Sequence, residues 1–230
     1  MANILALDTS TDACSVALQV GEERSEIFKV IPRRHTHELL PMVKEILAQA
    51  QLSVKQLDAV AFGRGPGSFA GIRIATGVTQ GLAFAQDLAV IPVSTLATLA
   101  QGYYREYGDD SHQIITALDA RMDEVYWGSY CIDQGLAKLI TAEAVSAPSD
   151  VSIDCATQYV GVGSGFNYQS QMDENLNSVI INSYADLQPH SLDMLAIASP
   201  LYKAGETISA EQAHPVYLRN QVAWKKKDQQ

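Results

Sequence analysis

Two periods of apolar and polar positions alternate along this chain, and the switches between them outline its elements. Ile4–Leu7 is a short apolar run that reads as a buried strand. Ser15–Val20 and Ser25–Val30 follow as the other strands of an antiparallel meander. From Thr36 to Gln49 the period changes. Leu39, Leu40, Val43, Ile46, Leu47 and Ala50 recur at i, i+3, i+4 and i+7 and make one helical stripe. Thr36 is the expected N-cap, and Glu38 suits the positive end of the helix dipole. Asp58–Phe62 is a buried-type strand, a glycine-rich turn follows, and a second helix runs from Gly71 to Gln86. Leu88–Val93 returns to strand and Thr95–Tyr107 to helix.

The second half restarts this pattern. Ile114–Leu118 and Val125–Tyr130 read as two strands joined by a short turn, and Ser146–Thr157 as a loop. Tyr159–Val162 is a strand entering Gly161-Val162-Gly163-Ser164-Gly165, and Ser191–Lys203 is an amphipathic helix ending before Gly205. The polar stretch Arg105–His112 has the Gly and Asp content of a boundary. It divides the chain into an N-terminal lobe, residues 1–106, and a degenerate C-terminal lobe, residues 107–230.

The restart is also a repeat. Ile4-Leu5-Ala6-Leu7-Asp8-Thr9-Ser10-Thr11-Asp12 aligns without a gap to Ile115-Thr116-Ala117-Leu118-Asp119-Ala120-Arg121-Met122-Asp123, with Ile, Ala, Leu and both Asp shared. Strand, acidic tight turn and strand in each half is the arrangement with which actin-like ATPases and sugar kinases pinch nucleotide phosphates. Turn N–H and hydroxyl groups donate to phosphate oxygens there, and the carboxylate holds Mg²⁺ or a water. The expected fold is therefore α/β, a two-lobed actin-like ATPase (ASKHA, ribonuclease H-like) architecture with duplicated βββαβα-type lobes. Asp8, Thr9, Ser10, Thr11 and Asp119 are the candidate nucleotide contacts; Arg121 and Met122 leave the second turn poor in hydroxyls. Alternatively, Asp8 and Asp119 only shape their turns through side chain to backbone bonds.

Gly63-Arg64-Gly65-Pro66-Gly67-Ser68-Phe69-Ala70-Gly71 joins a strand to a helix and resembles a dinucleotide-binding loop, with Asp87 about 20 residues further on. That reading fails because Asp87 precedes the next strand, whereas a ribose-binding acid ends it. The glycines still permit close approach of an anion or a neighbouring chain. In the helix that follows, Gly77 and Gly81 stand one turn apart with Ala85 a turn beyond. Glycine inside a helix costs ~1 kcal/mol relative to alanine. Two on one face point to a backbone packed closely there, either the lobe's own sheet or another subunit.

Charge limits the partners. The net charge is −10, whereas a chain that grips nucleic acid by itself needs a basic face. The only basic run is Lys225-Lys226-Lys227, which reads as a solvated tail. No apolar run approaches the ~20 residues of a membrane span, and Met1-Ala2-Asn3-Ile4 opens no signal peptide. Cys14, Cys131 and Cys155 are scattered and read as reduced thiols, which together with the missing leader indicates a cytoplasmic protein. His35 and His37 point to different faces of a helix and read as solvated; no His-x-x-x-His pair offers a metal site. Nucleophilic elbows and Cys-His pairings are missing too, so a peptidase reading lacks its parts.

Six blocks carry a family resemblance: Ile4-Leu5-Ala6-Leu7-Asp8-Thr9-Ser10, His35-Thr36-His37-Glu38-Leu39-Leu40-Pro41, Gly65-Pro66-Gly67-Ser68-Phe69-Ala70-Gly71-Ile72-Arg73, Pro92-Val93-Ser94-Thr95-Leu96, Leu118-Asp119-Ala120-Arg121 and Pro215-Val216-Tyr217-Leu218-Arg219. Together they resemble the bacterial TsaB (YeaZ) family across nearly the whole chain. The resemblance implies a non-catalytic paralogue of TsaD, the subunit that installs threonylcarbamoyl on the adenosine beside the anticodon of ANN-decoding tRNAs. It implies TsaD and the small ATPase TsaE as partners, a homodimer when the chain is alone, and tRNA reached only through the complex. The helices from Thr36 and Gly71 would form the dimer bundle, through His37, Leu40, Val43 and Leu47 on the first and Arg73, Gly77, Gly81 and Ala85 on the second. Where TsaD carries metal-binding histidines, this chain has Thr95 and Leu99. No cofactor of its own is implied; ATP or ADP with Mg²⁺, in the cleft or at the complex interface, stays open. The alternative is an independent actin-like ATPase or phosphotransferase with Asp8 as its Mg²⁺- or water-positioning group.

Overall fold

A computed structural model of the chain describes residues 2–219, so Trp224 and Lys225 to Lys227 lie outside the described residues. The chain opens with a meander of three strands, β1 (Asn3–Asp8), β2 (Ala13–Val20) and β3 (Glu23–Val30). Helix α1 (His35–Gln49), strand β4 (Ala59–Gly63), helix α2 (Phe69–Gln86), strand β5 (Ala89–Val93) and helix α3 (Thr95–Tyr107) follow. The first sheet has the order β3-β2-β1-β4-β5, antiparallel within the meander and parallel from β1 to β5.

The second half contains β6 (Gln113–Arg121), β7 (Glu124–Asp133), β8 (Leu136–Ser146), β9 (Tyr159–Val162), α4 (Glu174–Val179), β10 (Ile180–Tyr184) and α5 (Ser191–Lys203). Its sheet order is β8-β7-β6-β9-β10, the first sheet's order repeated strand for strand and with the same directions. The chain has the duplicated actin-like ATPase fold. The copy is complete in strands and reduced in helices. A loop with one 3-10 turn, Pro148–Asp150, replaces α1, and a 3-10 stretch plus short α4 replaces α2.

Alternation along β1 sends side chains to two cores. Leu5 and Leu7 pack with α1 and α2, while Ile4 and Ala6 face α5. On that second face Ala6, Ala17, Ala59 and Ala61 keep the sheet flat enough for Met194, Leu195 and Ala198 of α5 to seat directly on it. Helix α3 does the reverse: Leu96, Leu99, Ala100 and Tyr103 pack on Ile114, Leu118, Tyr130, Val160 and Val162 of the second sheet. Each lobe's last helix thus completes the other lobe's core, and the division at residue 106 marks the midpoint of a repeat between two interdependent halves.

Several elements differ from the sequence expectation. Helix α1 begins at His35 with Arg34 at the cap position and no side-chain cap, so Thr36 is not the N-cap. His35 is buried rather than solvated, its Nε2 lying 3.1 Å from the Ala13 carbonyl oxygen, and this bond ties α1 to β2. Strands β8 and β10 and helix α4 were not legible. β8 is an edge strand with two interruptions of register, so burial imposes no clean alternation on it, and α4 and β10 are too short to show a period.

Where α3 and α5 cross, Arg105 Nε donates to Asp193 Oδ1 at 2.7 Å and its Nη2 to Oδ2 at 3.3 Å. Asp193 is 2% exposed, and burial pushes its carboxyl up despite these bonds. Removing the arginine strands a buried charge, which costs about 3 kcal/mol or more, whereas removing both partners costs less. Urea unfolding of Arg105→Met should therefore show a larger loss than the Arg105→Met, Asp193→Leu double variant; a double-variant loss equal to the sum of the Arg105→Met and Asp193→Leu losses would mean the pair is not coupled.

Candidate functional site at the two acidic turns

The functional candidates gather where β1, β4 and β6 end. Asp8 closes β1, and its Oδ1 accepts from the Ser10 backbone N–H at 2.8 Å and from the Ser10 hydroxyl at 2.7 Å. Asp119 does the same at the end of β6, its Oδ1 accepting from the Arg121 N–H at 2.7 Å, and Arg121, Met122 and Asp123 all take positive φ. Both carboxylates therefore shape their turns through i to i+2 bonds.

Two of the three hydroxyls of the first turn, those of Thr9 and Ser10, donate within the protein. Thr9 Oγ1 donates to the Gly71 carbonyl at 2.6 Å, Ser10 donates to Asp8, and the Ser10 carbonyl accepts from Ser68 N–H at 2.7 Å. Thr9 and Ser10 are buried, while Thr11, only half-buried, accepts from the Ala13 N–H at 3.2 Å. The glycine loop between β4 and α2 is what fills the turn. A methyl group at Gly67 would overlap the Ser10 carbonyl, and one at Gly71 the Thr9 carbonyl, so the close approach of the first turn requires glycine at both positions. As folded, the Thr9 and Ser10 hydroxyls donate within the chain, while the half-buried Thr11 hydroxyl accepts and keeps its own proton free to donate.

The Asp8 carboxylate keeps one oxygen unsatisfied. Asp8 Oδ2 is buried without a partner, pressed toward Gly63 and Met194. Burial, only partly offset by the Ser10 bonds, raises its pKa to about 6.

The carboxy-terminal segment spans the two turns. Gln80 on α2 donates to the Ala213 carbonyl at 2.8 Å, Val216 N–H donates to the Arg64 carbonyl at 2.8 Å, and Arg73 Nε donates to Tyr217 Oη at 2.8 Å. Arg219 then reaches the second lobe, bonding the carbonyls of Ala120 at 3.2 Å and Arg121 at 3.3 Å and the Glu124 carboxylate. A second tie joins the lobes behind this strap. Glu143 on β8 accepts from Ser94, the N-cap of α3, and from Tyr130 at 2.7 Å, with Arg64 at 3.9 Å. Sequence reasoning missed this tie because its four residues are far apart in the chain. The strap had a signal, the Pro215-Val216-Tyr217-Leu218-Arg219 block, but no role.

Thr95 and Leu99 are both buried, and Leu99 packs on the α3 core of the second lobe. Among the described residues no group of three His, Cys, Asp or Glu could hold a metal ion.

The expected interface is only partly on the surface. Val43 and Leu47 point into the first lobe's core, whereas His37 and Leu40 are exposed on α1. On α2, Arg73, Gly77, Gly81 and Ala85 are exposed in one stripe, beside Phe84 at 74% exposure. Nothing lies within 4 Å of a side chain built at Gly77 or Gly81, so the lobe's own sheet is not what these glycines approach.

The Asp8 carboxyl has a measurable consequence. Its folded pKa lies above the ordinary 3.8, so the folded state holds the proton more tightly and loses stability as pH rises from about 4 through about 6. A shift of roughly two units corresponds to about 3 kcal/mol. Asp8→Asn should match the wild type below pH 4 and exceed its stability by up to that amount above pH 7, read as denaturant midpoints across pH. A constant difference between the two proteins would show that Asp8 does not titrate in this way.

Residues 29–226 match the TsaD family, described as tRNA N6-adenosine threonylcarbamoyltransferase. The Escherichia coli protein named tRNA threonylcarbamoyladenosine biosynthesis protein TsaB is 42% identical over 97% of each chain. Its Haemophilus influenzae namesake is 41% identical over 97% of this chain and 96% of its own. The solved structure of YeaZ from Pseudomonas aeruginosa, 47% identical, superposes with a TM-score of 0.89 over 95% of this chain and all of its own. No described helix is long and apolar enough to cross a membrane. This chain belongs to the TsaB family, within the wider group that the TsaD family describes.

Proposed function

We propose that this chain is a non-catalytic subunit of the machinery that threonylcarbamoylates tRNA, serving as a docking scaffold and activator for TsaD. The observation that carries the reading is the contrast between its two surfaces. The turns that would hold a nucleotide are filled by the chain's own glycine loop and bridged by its own strap. The α2 stripe, by contrast, carries two glycines with open space above them. Helix glycines cost stability and find their compensation when another backbone packs close. The names of the E. coli and H. influenzae relatives support the pathway, and the exposed faces of α1 and α2 support the mode of docking.

In this reading TsaE joins the assembled pair, tRNA is held chiefly by TsaD, and the chain self-associates through the same face when TsaD is absent. The net charge of −10 fits a subunit that leaves RNA to its partner. Any ATP or ADP with Mg²⁺ belongs to the complex and is not turned over by this chain alone.

Replacement of Gly81 by leucine puts a side chain into the open stripe without touching the lobe's core. Co-elution with purified TsaD on a sizing column and threonylcarbamoylation of tRNA should both be lost, while the unfolding midpoint stays within about 1 kcal/mol equivalent of the wild type. A variant that still forms the complex and supports the modification would overturn the reading. So would nucleotide turnover by the isolated chain that disappears in Asp8→Ala.

A further inference from the structure

Arg73 is the single charged residue of the eighteen in α2 and sits on the exposed stripe one turn before Gly77. It is held rather than free. Its guanidinium carbon lies 3.6 Å from the Phe69 ring centroid and 5.6 Å from that of Tyr217, and its Nε donates to Tyr217 Oη. Phe69 and Tyr217, with ring centroids 5.8 Å apart, are themselves 58% and 44% exposed. Of the five N–H donors of an arginine, one is used here, and among the described residues no carboxylate pairs with it.

An arginine stacked this way has already lost most of its rotamer freedom, and its planar fork matches a carboxylate in bidentate fashion. The surrounding stripe is small or apolar. A chain docking over Gly77 and Gly81 removes water from this guanidinium as well, and a desolvated cation must then meet an anion. We propose that the Phe69–Arg73–Tyr217 cluster is the specificity anchor of the docking face and receives a carboxylate side chain presented by the catalytic subunit. The inference rests on the docking role proposed above and adds the chemistry of the partner's contact. A carboxylate fits better than an RNA phosphate: the stripe of small residues suits helix packing, and this chain's own charge repels a polyanion.

The cluster also explains why the strap passes here. Tyr217 belongs to the segment that continues to Arg219 on the second lobe, so a partner seated on Arg73 touches a residue tied to both lobes.

The experiment is a titration of purified TsaD with the full-length chain, read as Kd, for wild type, Arg73→Lys, Arg73→Met and Gly81→Leu. Unfolding midpoints confirm that each variant folds. Arg73→Met should bind roughly 30- to 1,000-fold more weakly, the range for deleting one partner of a buried ion pair. Arg73→Lys should recover only part of that loss, since an ammonium neither forks nor stacks as a guanidinium does. Wild-type affinity in Arg73→Met together with lost binding in Gly81→Leu would overturn the anchor and leave the docking role standing. Wild-type affinity in both would overturn the two together. Loss of self-association in Arg73→Met, measured by sedimentation, with TsaD binding intact would assign the carboxylate to a second copy of this chain and overturn the proposal as stated.

Discussion

The exchange of last helices is the constraint on which the rest of this structure depends. Neither sheet can cover both faces from its own half of the chain, because α3 leaves the first lobe to pack on the second sheet and α5 returns to pack on the first. The alanines of the first sheet and the Arg105–Asp193 pair at the helix crossing make that exchange close and specific. Once α3 and α5 are seated, the ends of β1, β4 and β6 face a common region, and the acidic turns are brought there by topology before any ligand is considered.

Part of that region is filled by the chain itself. The Thr9 hydroxyl is spent on Gly71 and the Ser10 hydroxyl on Asp8, and the glycine loop packs tightly against the first turn. Asp8 remains as a buried carboxyl with one unsatisfied oxygen, a feature that destabilises the fold at neutral pH and has no compensating partner in the chain. Such a residue is intelligible as an inheritance from a nucleotide-binding arrangement, now used through its other oxygen to hold the turn. The strap through Val216, Tyr217 and Arg219 and the tie through Glu143 bridge the same lobes whose relative movement an ATPase would exploit.

The exposed stripe of α2 is built the other way. There α2 presents glycines with nothing above them, an exposed Phe84 and a pre-stacked Arg73. A surface of this kind, small and apolar with one oriented cation, has the composition of an interface core rather than of a solvated helix.

Much of the fold was legible because burial imposes period on sequence. The Ala-Leu-Asp hairpins at Asp8 and Asp119, the stripe of α1 and the bounds of α3 all follow from apolar spacing and turn chemistry, and the repeat announced the duplication later seen strand for strand in the two sheets. The edge strand β8 and the short α4 and β10 left no such period. The glycines at 77 and 81 share a helix face by spacing alone, but only the packing showed that the chain's own sheet does not approach them. In the same way Val43 and Leu47 belong to one apolar stripe with Leu40, and the position of the sheet alone decides which of them face inward. Local spacing determined which residues share a face and which turns are acidic. Whether those faces and turns are filled, bridged or open depended on segments distant in sequence, Gly71 on Thr9 and Arg219 on Ala120, whose meeting is set by the global topology and carries no local signal.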